Sequence, residues 1–225
     1  MQVNFVSQAD PFLASHRFRA MKPVSLLNAH TNVSATLSKE PDTKADVNVF
    51  QKHFNKAMNI KAASNAQDLG YKTVFDICDD YFEREHAKYY CDMCELADVV
   101  TCNSANMQER IYEHTGKLAR IINDPVSFPK GNPSVNTGPS FFMFGHGGNL
   151  VELNKWLPFI PARVTVASNV RIEGVDFHQF EPGLVERMIG EYDIILIPTQ
   201  KTPWVKCKSP NRVVDALNAG KFVIT

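Results

Sequence analysis

Hydrophobic and polar positions alternate between two periods along this chain. Short apolar runs at residues 3–7, 35–37, 47–51, 73–78, 99–102 and 119–123 read as strands. Between them lie segments with 3.6-residue spacing, at 15–29, 55–69, 83–97 and from Ser104 to Gly116. In the segment 83–97, Tyr90, Met93, Cys94 and Ala97 fall on one stripe. Gly70 and Gly116 are expected at helix C-termini, and Ser104 at an N-cap. Strands that alternate with helices need crossover connections, so the pattern predicts a mainly parallel sheet.

The rhythm breaks between 124 and 140, where Pro125, Pro129, Gly131, Pro133, Gly138 and Pro139 crowd together. It then restarts, with strands at 141–144, 164–167, 174–177, 193–198 and 221–225 and helices at 149–157, 182–192 and 209–219. In the second of these helices Leu184, Val185, Met188, Ile189 and Tyr192 are expected inward. In the third, Ser209 is expected as N-cap, Pro210 at N1 and Gly220 as C-cap. The most apolar strand, 193–198, is expected at the centre of its sheet. Two α/β domains follow, residues 1–125 and 141–225, joined by a linker at 126–140. The second is short and closes on a strand, so it is expected to be an incomplete domain.

Composition narrows the function. Lys+Arg and Asp+Glu are 24 each, so there is no basic excess for bulk nucleic-acid binding. The chain is 44% hydrophobic and 21% charged, as in globular proteins. No apolar run approaches the ~18–20 residues of a membrane span. The first residues carry neither a basic nor an apolar targeting region. Five cysteines suggest a reducing compartment, hence the cytoplasm. Cys91-x-x-Cys94, with Cys78 and Cys102 nearby, has the ligand types of a zinc site. The pair falls inside a helical segment rather than a tight knuckle, so buried small side chains are the preferred reading and no metal is expected.

Four segments carry candidate chemistry. Lys208, Ser209 and Arg212 cluster where a helix begins after an apolar strand; free N–H groups, the helix dipole and two cations suit a diphosphate. Asn211 and Asp215 share a face of that helix, where Asp215 could accept from ribose hydroxyls. A plain capped helix with an Arg212–Asp215 pair is the competing reading. Gly145, His146 and Gly147 form a glycine-rich turn after a strand, open to close ligand approach. It lacks the dinucleotide fingerprint, since Leu150 stands where the third glycine belongs. Asp79 and Asp80 fall at the carboxyl end of a strand, where a carboxylate could orient or deprotonate a hydroxyl. A helix N-cap is the alternative there. Arg17 places a cation after the first strand and loop.

Together these segments resemble the GT-B glycosyltransferases, specifically the large nucleotide-sugar family called group 1 or family 4. The run from Lys208 to Ile224 is similar to the family's donor-site helix and the strand that follows it. Cys94-Glu95-Leu96-Ala97-Asp98-Val99-Val100-Thr101-Cys102-Asn103-Ser104 is similar to its "ADxVTxxS" entry, and Ile122-Asn123-Asp124-Pro125 to the stretch closing its first domain. The family's Glu-x7-Glu pair has its second acid at Asp215 and its first at Cys207, so the usual donor-sugar contact is missing.

The resemblance implies two Rossmann-like domains and sugar transfer from a nucleotide-diphosphate donor to an acceptor hydroxyl, without metal or cofactor. It implies donor contacts from Gly145, His146, Gly147, Lys208, Ser209, Asn211, Arg212 and Asp215. Asp79 or Asp80 would act on the acceptor, with Arg17 on the acceptor side. The implied partners are a nucleotide sugar and a carbohydrate or glycolipid acceptor, as in polysaccharide biosynthesis, with peripheral membrane contact allowed and no nucleic acid. Two other classes stay open: an inactive glycosyltransferase-like nucleotide-binding module, and a Rossmann-type oxidoreductase.

Overall fold

The structure is a computed structural model, and it describes residues 1–8, 10–52, 55–133 and 138–225. Two compact units emerge, one of Met1–Pro125 with Lys206–Ser209, the other of Val126–Val205 with Pro210–Thr225. The assignment of Lys206–Ser209 to the first unit differs from the expected boundary at 141–225. The expected linker partly falls at 134–137, outside the described residues.

The first unit is a parallel sheet of β1 (Gln2–Val6), β2 (Ser34–Ser38), β3 (Val47–Gln51), β4 (Lys72–Ile77), β5 (Val99–Cys102) and β6 (Arg120–Ile121). Its order is β2-β1-β3-β4-β5-β6, every pairing parallel. Both faces are covered, as a parallel sheet requires. Phe50, Phe75, Ile77, Tyr90, Met93 and Met107 build the larger core; Val3, Phe5, Ala20 and Val49 build the smaller. The expected caps form: the Ser104 side chain accepts from the Met107 N–H, and Gly70 and Gly116 turn left-handed at φ 79° and 67°. The helix expected at 83–97 begins later, at Ala87, because residues 82–86 form turns.

The helix after β1 departs from the ideal. Ala14–His16 and Lys22–His30 are α-helical, but Arg17–Met21 is π-helical. Pro23 has no N–H to give the Arg19 carbonyl four residues back, and its ring crowds that oxygen. The Lys22 N–H instead reaches the Arg17 carbonyl, five residues back.

The second unit is a parallel sheet of β7 (Phe141–Phe144), β8 (Val164–Ser168), β9 (Asp176–Gln179), β10 (Ile194–Leu196) and β11 (Phe222–Ile224), in the order β11-β10-β7-β8-β9. The strand expected at 193–198 is therefore interior, but the centre belongs to β7. All four β7 residues are buried, with Phe142 and Phe144 in one core and Phe141 and Met143 in the other. The strand expected at 174–177 lies two residues later, because Gly174 turns at φ 77°. Val185, Met188 and Ile189 are buried, and Leu184 and Tyr192 pack beside them.

Residues 126–133 form no regular element, yet they are tied down. The Ser127 N–H donates to Asp215 at 2.7 Å, the Asn218 amide to the Phe128 carbonyl at 2.7 Å, and the Gly131 N–H to the Asn218 carbonyl at 2.9 Å. A Cβ on Gly131 would stand 2.2 Å from the Ala219 carbonyl oxygen, so only glycine fits there.

Candidate functional site

Open parallel sheets present their binding groups at the carboxyl ends of the strands. In the first unit that edge is dense with charge. Asp76, inside an otherwise apolar strand, takes a two-pronged ion pair from Arg19, with Nε at 3.0 Å from Oδ2. The Thr101 hydroxyl donates to the same carboxylate at 2.7 Å. Arg19 also meets Asp124 at 3.2 Å and the Ile122 carbonyl. All three charged side chains are under a tenth exposed. Burial works against the Arg19 charge, but Asp76 and Asp124 outweigh it and hold its pKa above the ordinary value. Burial raises Asp124 despite Arg19 and the Ser209 hydroxyl, which donates to it.

The predicted acids sit beside this cluster. Asp80 is buried and accepts from the Phe82 N–H at 3.1 Å and from Arg110 Nε at 3.0 Å. Asp79 is paired with Lys52 and lies 3.7 Å from Lys208 Nζ. Lys52 has φ +54°, a left-handed backbone rare outside glycine. The strap Lys206–Ser209 is held by donors of the same unit: Ser104 Oγ to the Cys207 carbonyl at 2.9 Å, and Asn106 Nδ2 to the Lys206 carbonyl at 2.9 Å. Cys207 itself joins the first core, and burial pushes its thiol up to about 11. The position that the family resemblance assigns to a sugar contact is thus spent on packing. Ser209 bonds Asp124 rather than capping the next helix, whose N-cap is Pro210 and whose first residue is Asn211.

In the second unit the edge is open. Gly145 has φ +146°, and a Cβ there would stand 3.0 Å from Arg212 Nη1 and 3.2 Å from Asn149 Nδ2. The Gly147 N–H donates to Asn169 Oδ1 at 2.8 Å. His146 is exposed, and its Nδ1 accepts from the Gly148 N–H at 3.2 Å. Arg212, in the first turn of Asn211–Asn218, donates to the Phe144 carbonyl at 3.3 Å and has no carboxylate partner among the described residues. Burial pulls its pKa below the ordinary value, with no anion to restore it. Asn211 Oδ1 accepts from the Arg212 N–H at 2.8 Å. Asp215 is buried and turned to Ser127, not to Arg212.

Arg17 lies in the π-helical stretch and donates to the Pro11 carbonyl at 2.8 Å. The cysteine pair falls on the helix Ala87–Leu96, where Cys94 is buried and burial pushes its thiol up to about 12. Cys78 and Cys102 belong to the same core. Among the described residues, no group of three or more His, Cys, Asp or Glu is placed to hold a metal ion, and no helix is long and apolar enough to cross a membrane.

No protein-family model matches the chain, and no curated protein does. Solved structures do. HepE of Anabaena, in complex with UDP, superposes with a TM-score of 0.64 at 13% identity, over 99% of this chain and 80% of that one. The second is an alpha-glucosyltransferase in complex with UDP-glucose and DNA containing an abasic site. Its TM-score is 0.61 at 7% identity, over 99% of this chain and 78% of that one. The fold is GT-B. At such identities the likeness is one of fold, so the chemistry must be argued from this chain's own residues.

Sequence reasoning missed Arg19, Asp76, Asp124, Lys52, Arg110 and His16. A signal existed for one pair: an aspartate in the middle of an apolar strand needs a cation, and Arg19 stands after β1 with no apolar role. The π-helical register that brings Arg19 inward left no comparable trace beyond Pro23.

Proposed function

We propose that this protein transfers a sugar from a nucleoside-diphosphate donor to an acceptor hydroxyl. One observation carries the reading: Arg212, desolvated and without a carboxylate partner among the described residues, stands beside the glycine turn at Gly145 in a GT-B fold. A desolvated, half-buried cation without an anion is costly, and a diphosphate supplies one. The N-terminus of Asn211–Asn218 adds its dipole. That structures of this fold are known with UDP and UDP-glucose supports the ligand class.

Residue roles follow from the geometry. Arg212 and Asn211 would bind the leaving diphosphate, with Gly145, His146 and Gly147 lining the donor. Lys208 and Ser209 would contribute from the strap. Asp215 would reach a ribose hydroxyl. Asp79 and Asp80 would hold Lys52, Lys208 and Arg110 in place toward the acceptor, and Arg17 would stand on the acceptor side. The helix dipole and cations would stabilise the leaving group without a metal. A carbohydrate or glycolipid acceptor, as in polysaccharide biosynthesis, and a cytoplasmic setting belong to the same proposal.

The test is a thermal-shift panel with UDP, GDP, ADP and NAD⁺. A ligand at ~100 times its Kd stabilises by about 2.7 kcal/mol. A shift with one nucleoside diphosphate, lost in Arg212→Met, supports the donor site and identifies the base. A shift with NAD⁺ alone moves the protein to the oxidoreductases.

A further inference from the structure

The carboxyl ends of β3 and β4 gather more cations than carboxylates, and they do so within the first unit. Lys52 follows β3, and its ammonium is paired with Asp79, which stands beyond the end of β4. Lys208, on the strap, lies 3.7 Å from the other oxygen of the same carboxylate. One aspartate thus serves two ammonium groups. The row continues through Tyr81, whose hydroxyl is within electrostatic reach of Lys52, Arg84, Asp79 and Glu85. Its ring is 5.0 Å from that of His86, and His86 Nδ1 is 3.1 Å from Lys56 Nζ. An ammonium only donates, so Lys56 is met by an imidazole lone pair where a carboxylate would have neutralised it. Glu85 faces the opposite ring nitrogen at 3.4 Å. Among the described residues this row joins four cations and two carboxylates, so it is positive by two.

Lys52 is held in a conformation that a side chain disfavours, with φ at +54°. Three hydrogen bonds keep it there. The Lys52 N–H donates to the Asp76 carbonyl at 3.1 Å, the Tyr89 hydroxyl donates to the Lys52 carbonyl at 2.9 Å, and Asn59 Nδ2 donates to the Tyr89 oxygen at 3.0 Å. Glycine would take that φ without such a frame. A half-buried lysine kept there against its preference marks a use for the ammonium. The chemistry of the cations says which anion fits. An ammonium is a point charge that serves the several oxygens of a phosphoryl group, whereas a planar carboxylate is matched best by an arginine fork. A phosphomonoester carries about −1.5 to −2 at pH 7, which the excess of this row balances.

We propose that the first unit binds the phosphoryl group of a small phosphomonoester at this row, with Lys52 and Lys208 making the contacts and Lys56 and Arg84 adding their field. Asp79 holds the two contact lysines side by side and gives up part of its share of them when the ligand enters. The site needs the first unit alone, so it does not rest on the sugar-transfer reading. Under that reading the phosphate belongs to the acceptor.

The test is calorimetric titration of the full chain carrying Arg212→Met, which silences the phosphate site proposed in the second unit. The probes are glucose 6-phosphate, inorganic phosphate and glucuronate. Both phosphates are expected to bind, and glucuronate to bind at least about tenfold more weakly than glucose 6-phosphate. Lys52→Gly keeps the left-handed turn without the ammonium, and should weaken glucose 6-phosphate by about tenfold or more. Lys56→Gln, at an exposed position, should weaken it by about two- to threefold, and added salt should erase that difference. Should Lys52→Gly not fold, Asp79→Asn decides: it frees both ammonium groups from their carboxylate and must tighten binding. The proposal is overturned if neither phosphate binds, or if glucuronate binds as tightly as glucose 6-phosphate. Unchanged affinity in Lys52→Gly, or no gain in Asp79→Asn, overturns it as well. The nucleoside-diphosphate panel is read apart from these titrations: its failure removes the donor site of the second unit and leaves this one standing.

Discussion

The carboxyl edges of the two sheets handle charge in opposite ways. At the first, Arg19, Arg110 and Lys52 each meet an aspartate, and the buried cluster is neutralised from within. At the second, the Arg212 guanidinium is desolvated and, among the described residues, bonds a carbonyl and no carboxylate. A buried cluster that satisfies its own charges gains order and offers little to a ligand anion. An edge that leaves a cation without its counter-charge is less stable alone and is prepared for one. Substitutions at the two edges should therefore separate stability from binding.

The largest effect is expected at Asp76. Asp76→Ala leaves Arg19 buried beside Asp124 alone and orphans the Thr101 hydroxyl. Removing one partner of a buried pair costs about 3–5 kcal/mol. Urea unfolding should show that loss in the first unit. If Asp76→Ala is as stable as the parent, the first edge is not self-neutralised in the way described.

Arg212→Met should do the reverse. Stability should hold or rise slightly, because a half-buried cation that bonds a carbonyl and meets no carboxylate among the described residues is removed. Affinity for the nucleoside diphosphate should fall by about 1.5–3 kcal/mol, the range of a hydrogen bond to a charged group. Gly145→Ala sharpens the point. Its φ of +146° and the guanidinium 3.0 Å away both oppose a Cβ, so a cost of about 1–3 kcal/mol is expected, with binding weakened through a displaced Arg212. Calorimetric titration with UDP on both variants separates the two losses.

These edges also differ in how far they could be read in advance. The second was legible in part, because glycines after a strand and an Asn-Arg pair opening a helix are local signals, whereas Lys208 and Ser209 of the same run turn to Asp79 and Asp124 of the first unit. The conformations of the glycines and of the pair depend on neighbours in sequence. The parallel order of strands was legible for the same reason, through the alternation of periods and through Ser104, Gly70 and Gly116. The first edge was not. Arg19, Asp76 and Asp124 are 57 and 105 residues apart in their pairings, and only the sheet order brings them together. Strap membership is hidden too, because the donors that hold it, Ser104 and Asn106, lie about a hundred residues away in sequence. Asp215 was placed on the right helix, but its tie to Ser127 depends on a linker that carries no periodicity.

A smaller effect is expected at Ser104, which serves local and long-range structure at once. Its hydroxyl accepts from the Met107 N–H at 3.2 Å and donates to the Cys207 carbonyl at 2.9 Å. Losing an N-cap costs about 1 kcal/mol. Ser104→Ala should show at least that loss. Ser104→Asp keeps an acceptor for the cap but brings no donor for the Cys207 carbonyl, so it should recover only part.

The finest test is the pH dependence of stability at the first edge, where His16 is buried. Burial lowers the His16 pKa in the folded protein below its ordinary 6.5. The unfolded chain therefore binds the proton more readily just below pH 6.5, and stability rises with pH through that window. The neutral ring's contribution is fully present above about pH 6.5 and is lost as the pH falls below it. Unfolding midpoints collected from pH 5 to 8 should fall on the acid side, and His16→Gln should flatten that part of the curve. An acid side as steep in His16→Gln as in the parent would mean that burial does not hold this ring neutral.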